Sequence, residues 1–112
     1  MSVAQAAPEE FCVVLCTVPN EEVGRGIARI LVEERLAACV NMTAGLRSLY
    51  RWQGEVCEEA ESLLIIKTRR ERFAALSARI GELHPYTVPE LIALPLTAGA
   101  APYLAWLDEE TR

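Results

Sequence analysis

With 112 residues, 52% of them hydrophobic and 6% aromatic, the chain has room for one domain whose core is packed mainly by aliphatic side chains. A formal charge of -5, with ten of the eleven basic residues being Arg scattered among acids, argues against nucleic acid and anionic membrane as partners. No apolar run approaches the roughly 18 residues of a membrane-spanning helix, and residues 1–10 lack the basic and apolar regions of a signal peptide. The expected compartment is therefore cytoplasmic.

Residues 1–10 read as a flexible N-terminal tail, and residues 11–112 as the domain. Phe11 to Val18 is a continuous run of β-formers, which predicts a strand buried on both faces. Pro19 stops it, and Asn20 is positioned to cap a helix over about 21–35 whose apolar side is Val23, Ile27, Ile30 and Leu31. A second strand is expected from Leu36, bent at Gly45 and resuming to Trp52. Gln53-Gly54 is a turn signal, and the return strand runs from Cys57 to Thr68, so the pair forms an unusually long hairpin.

Thr68 and Glu71 have the spacing of a capping box for a second helix over about 69–83, with Phe73, Leu76, Ile80 and Leu83 on one side. Pro85 ends that helix at His84. Leu91 to Leu94 is a short fourth strand closed by Pro95, and Pro102 opens a short last helix. The order β-α-β-β-α-β plus a C-terminal helix is the ferredoxin-like α+β pattern.

Strand side chains alternate faces, so Phe11, Val13 and Leu15 oppose Cys12, Val14 and Cys16, while Leu63 and Ile65 oppose Leu64 and Ile66. Both faces are apolar. Two helices cover one face of such a sheet, which leaves the other for a copy of the same chain or for the C-terminal helix alone.

Several segments in order resemble the CutA divalent-cation-tolerance family: Val13-Val14-Leu15-Cys16-Thr17, Leu36-Ala37-Ala38-Cys39-Val40-Asn41, Ser48 to Glu55, Ile66-Lys67-Thr68, His84 to Glu90, and Tyr103-Leu104-Ala105-Trp106. The resemblance runs from about residue 11 to 112 and implies a homotrimer joined through edge strands and long hairpins. It also implies a response to metal ions, copper among them. Cys16 and His84 match two positions of a family copper site, and Leu83 stands where the first of two histidines would be. Thiolate and imidazole suit copper. Taken alone, Cys16 is equally a small buried hydrophobe, and His84 a helix C-terminal residue favoured by the dipole.

A second constellation is Tyr50, Trp52, Glu61, Lys67 and Tyr86, near His84. Glu61 and Lys67 share strand parity, which suggests either an ion pair or a polar ligand cleft between subunits. Glu58, Glu59 and Glu61 are a weaker candidate for a hard cation. The four cysteines lack the close pairing of a structural zinc site. A phosphate-binding Gly-rich loop and a nucleophile elbow are both missing, so no enzyme is expected and no cofactor is obligatory. The leading expectation is a trimeric, non-enzymatic protein binding copper or other divalent cations. The rivals are a PII-like sensor of an anionic metabolite and a trimeric scaffold.

Overall fold

In a computed structural model, residues 6–112 are described. Half of the expected tail, residues 1–5, lies outside the described residues; of its remainder, Pro8–Glu10 forms a 3-10 turn. The elements are β1 (Phe11–Val18), α1 (Glu21–Glu33), β2 (Cys39–Trp52), β3 (Glu55–Arg69), α2 (Phe73–Leu83), β4 (Ile92–Pro95) and α3 (Ala101–Glu110). The four strands form one antiparallel sheet in the order β2-β3-β1-β4.

Asn20 caps α1 as its side-chain oxygen accepts from the Val23 N–H at 2.9 Å, with Glu21 and Glu22 in the positive first turn. The helix ends where Arg35 takes a left-handed φ of 61°, and the Leu36 and Ala37 N–H groups turn back to the Leu31 carbonyl. That cap consumes the N–H groups of Leu36 and Ala37, the Ala38 N–H is the first to reach β3, at the Lys67 carbonyl, and β2 begins at Cys39 rather than at the expected Leu36.

The register of β2 on β3 slips between Thr43 and Leu46, where Gly45 has a φ of 78°. One extra residue on β2 is the bulge expected from that glycine. At the hairpin tip Gln53 and Gly54 both have positive φ, as a two-residue loop matched to strand twist requires. Val18 pairs with Ser62, so residues 55–61 of β3 pair with β2 alone. The hairpin therefore runs about 24 Å past the end of β1, and the molecule is 59 Å in its longest dimension.

The expected capping box does not form. The Thr68 hydroxyl donates instead to the buried Leu36 carbonyl at 2.6 Å, and a 3-10 turn over Arg70–Arg72 precedes α2. A carbonyl brought in from the end of α1 outcompetes the local helix start. At the other end His84 is extended, as the following proline dictates.

Helices α1 and α2 cover one face. Ile27, Leu31, Leu76 and Ile80 pack on Cys12, Val14, Cys16, Val18, Leu64 and Ile66. The opposite face is only partly covered. Leu104 and Leu107 of α3 close over Phe11 and Ala38 at one end. Beyond them, Val13, Leu15, Leu63 and Ile65 remain part-exposed, and on the neighbouring β4 Ile92 and Leu94 are 51% and 48% exposed. The last helix therefore does not seal the second face.

Candidate functional site

At the Val18 end of the sheet, the loop after α2 folds back across β1. The His84 N–H continues the helix to the Ile80 carbonyl, and the residue as a whole is 93% buried. The Tyr86 N–H donates to His84 Nδ1 at 3.0 Å, which leaves the proton on Nε2 to donate to the Thr17 carbonyl at 2.8 Å. The Cys16 thiol donates to the same carbonyl at 3.7 Å. One backbone oxygen thus gathers the two side chains that the sequence offers as soft-metal donors.

The thiol is not ready to coordinate as it stands. Burial, with the negative charges of Glu90 and Glu61, pushes Cys16 up to about 12. A metal at this position must displace the thiol proton and take the His84 Nδ1 lone pair from Tyr86 or the Nε2 proton from Thr17. Among the described residues no group of three or more His, Cys, Asp or Glu is arranged to hold a metal. Two donors fall short of the closed four-ligand site of structural zinc.

Next to this pair stands a row of carboxylates and phenols. Tyr86 donates to Glu61 Oε2 at 2.8 Å, and Tyr50 donates to Glu59 Oε1 at 2.9 Å. Burial and the Glu61 bond push the Tyr86 hydroxyl well above its usual range, and the Glu59 bond pushes Tyr50 up to about 12. Both phenols are fixed donors across the neutral range. The Tyr86 ring packs on the His84 ring, centroids 4.6 Å apart, so both constellations share one loop.

Lys67 and Trp52 do not join them. Lys67 lies six positions along β3 from Glu61, about 20 Å away. Its ammonium donates to the Asn41 side-chain oxygen. The ion pair within one chain suggested by shared parity is therefore absent, because equal parity sets the face and says nothing of reach. Trp52 is exposed at the hairpin tip, opposite Glu55. Glu58, Glu59 and Glu61 do not converge on a hard cation either: Glu58 turns to Arg47 at 3.6 Å on the other face, and the other two are held by separate tyrosines.

The Thr17 carbonyl and Asn41 as the partner of Lys67 are absent from the sequence-based set. A backbone acceptor carries no residue-type signal. Asn41 is readable only once the β2/β3 register places it opposite Ile65, beside the Cys39–Lys67 pair.

The chain matches the family model for CutA1 divalent ion tolerance protein over residues 12–110. It is 61% identical over 99 residues to the divalent-cation tolerance protein CutA of Thermus thermophilus, covering 88% of this chain and 96% of that one. It is 49% identical over 100 residues to the chloroplastic protein CutA of Arabidopsis thaliana, covering 89% of this chain and 55% of that longer one. The crystal structure of CutA1 from Oryza sativa superposes with a TM-score of 0.92 at 46% identity, over 97% of this chain and 98% of the other.

Proposed function

This chain belongs to the CutA1 divalent ion tolerance family, and we propose that it acts there as a trimeric, non-enzymatic cation-binding protein of the cytoplasm, responding to copper through Cys16 and His84. The observation that carries this reading is the convergence of the Cys16 thiol and the His84 Nε2 on the single Thr17 carbonyl. Copper bound there would be held by a deprotonated Cys16 and the His84 imidazole, soft and borderline donors that favour it over hard divalent ions. With one His in the chain, occupancy depends on the loop over His84 to Tyr86 giving way. The role is homeostatic, and no reaction is assigned to the site.

The trimer is supported by the uncovered apolar row Val13, Leu15, Leu63 and Ile65 and by the exposed edges of β2 and β4. The ferredoxin-like arrangement then puts the helices outside and the open sheet faces inside. Four free thiols are consistent with a reducing compartment.

Calorimetric titration with copper tests the metal assignment on the wild type, Cys16→Ser and His84→Ala. The reading requires binding that weakens by at least about tenfold in each variant, as loss of one donor from a two-donor site should. Unchanged affinity in both removes the pair from the account. The sensor alternative must gather Lys67 with Glu61 and Tyr86, which one chain holds about 20 Å apart. It therefore depends on the same trimer.

A further inference from the structure

A concavity lies on the helix side of the sheet, away from the uncovered apolar row. Cys12 pairs with Pro95 and Val14 with Ala93, and Cys12 and Val14 belong to the face that α1 and α2 cover. Ala93 and Pro95 of β4 therefore share that face. The second helix reaches it only from Phe73, because the 3-10 turn over Arg70–Arg72 comes first. The corner between that turn and β4 is left as a cavity of about 360 Å³, lined by Cys12, Arg70, Phe73, Ala93, Leu94 and Pro95. Cys12, 2% exposed, lies deepest, and the small Ala93 side chain does not fill the space. Apart from one guanidinium the lining side chains are apolar or a neutral thiol.

Arg70 takes part in no salt bridge among the described residues. Its Nη1 donates to the Glu9 carbonyl at 3.3 Å, and the adjacent acid, Glu71, turns to Arg69 instead. Burial pushes the Cys12 thiol up and the Arg70 charge pulls it back, so the guanidinium lies within electrostatic reach of the cavity floor. A cation with free donors beside an apolar cavity fits a ligand with the same two parts. A planar carboxylate matches the guanidinium fork, and an aromatic body packs well on a phenylalanine ring and a cysteine sulfur. We propose that this corner binds a small aromatic monocarboxylate, with its charge on Arg70 and its ring against Phe73 and Pro95. The cavity is at the small end of the range for ligand sites, which suits a single-ring acid. The site is contained in one chain and rests on neither the copper reading nor the trimeric one.

Benzoate is the probe, and benzamide, of similar shape without the charge, is its control. Each is titrated into the isotope-labelled full chain with chelator present, and binding is read from backbone amide chemical shifts. With roughly nine non-hydrogen atoms, benzoate should bind with a dissociation constant on the order of 1 mM. The shifts should centre on Cys12, Arg70, Phe73, Ala93 and Leu94. Replacing benzoate by benzamide, or Arg70 by Gln, should weaken binding by about tenfold or more, as loss of a charge-assisted contact does. Ala93→Leu should fill the cavity and abolish binding while the amide spectrum away from β4 stays that of the wild type. Should Ala93→Leu disturb the edge strand, the exposed Arg70 still decides the matter, because Arg70→Gln removes no buried group. The proposal is overturned by the absence of saturable shifts up to about 20 mM benzoate, or by shifts centred on another part of the chain. Undiminished binding of benzamide, or of benzoate to Arg70→Gln or to a folded Ala93→Leu, overturns it equally.

Discussion

Two glycines two positions apart in α1 should respond to the same substitution with opposite signs. A Cβ on Gly24 would lie 2.7 Å from Met42 Sδ, 3.0 Å from Val18 Cγ2 and 3.3 Å from Leu64 Cδ2, whereas one on Gly26 meets nothing within 4 Å. Alanine gains about 0.8–1.0 kcal/mol over glycine inside a helix, and Gly26→Ala should keep all of it. Gly24→Ala gains the same amount but forces α1 off the sheet. The Met42 thioether can swing away, while Val18 is β-branched, fully buried and stiff. Overpacking of this kind costs about 1–3 kcal/mol, for a net loss of about 1 kcal/mol. The variants should then differ by about 2 kcal/mol, or roughly 1 M in urea midpoint for a domain of this size. The assay is urea unfolding followed by circular dichroism at one protomer concentration with chelator present, since association and bound metal both shift the midpoint. Equal shifts in the same direction would refute the idea that the close approach of α1 to β1 and β2 is what excludes a side chain at residue 24.

Thr68→Val keeps the shape of a fully buried side chain and removes the donor to the Leu36 carbonyl, so it should destabilise by about 1–3 kcal/mol, with Thr68→Ser milder, in the same unfolding assay. Cys16 has its pKa raised from 9.0 to about 12 in the fold, so the neutral thiol is the form the fold favours. Its contribution is complete below pH 9 and drains away as the pH rises toward 12, by at most a few kcal/mol. A melting temperature that falls above pH 9 in the wild type should fall less steeply in Cys16→Ala; parallel curves would show that the buried thiol is not responsible. At the hairpin tip Gln53 has a φ of 50° before Gly54, and Gln53→Asn should raise the urea midpoint slightly, because Asn accepts that conformation more readily.

Much of this fold is legible in the residues themselves. The run Phe11 to Val18, the Asn20 cap, the bend at Gly45, the Gln53-Gly54 turn and the stop before Pro85 are local signals, and the structure places each as the chain implies. The misplacements share a cause. Thr68 would cap α2 if the choice were local, but a carbonyl 32 positions away claims its hydroxyl. Leu36 would open β2 if the end of α1 did not need its N–H. The site follows the same division. Residue types marked Cys16, His84, Tyr86 and Glu61, while the meeting of Cys16 and His84 at the Thr17 carbonyl, and of Tyr86 with Glu61 beside it, depends on how far the loop folds back across β1. Parity put Glu61 and Lys67 on one face correctly. Rise per residue, which parity omits, keeps them apart within a chain.

The most direct measurement is a crystal structure of the copper-loaded protein with anomalous diffraction collected on both sides of the copper absorption edge. The account predicts a copper-specific peak about 2.0–2.3 Å from the Cys16 sulfur and a His84 ring nitrogen, with the Cys16 thiol released from the Thr17 carbonyl and one of the two His84 ring hydrogen bonds, to Tyr86 or to Thr17, given up. Copper bound elsewhere, with the Cys16–Thr17 hydrogen bond and both His84 ring hydrogen bonds intact, would contradict it.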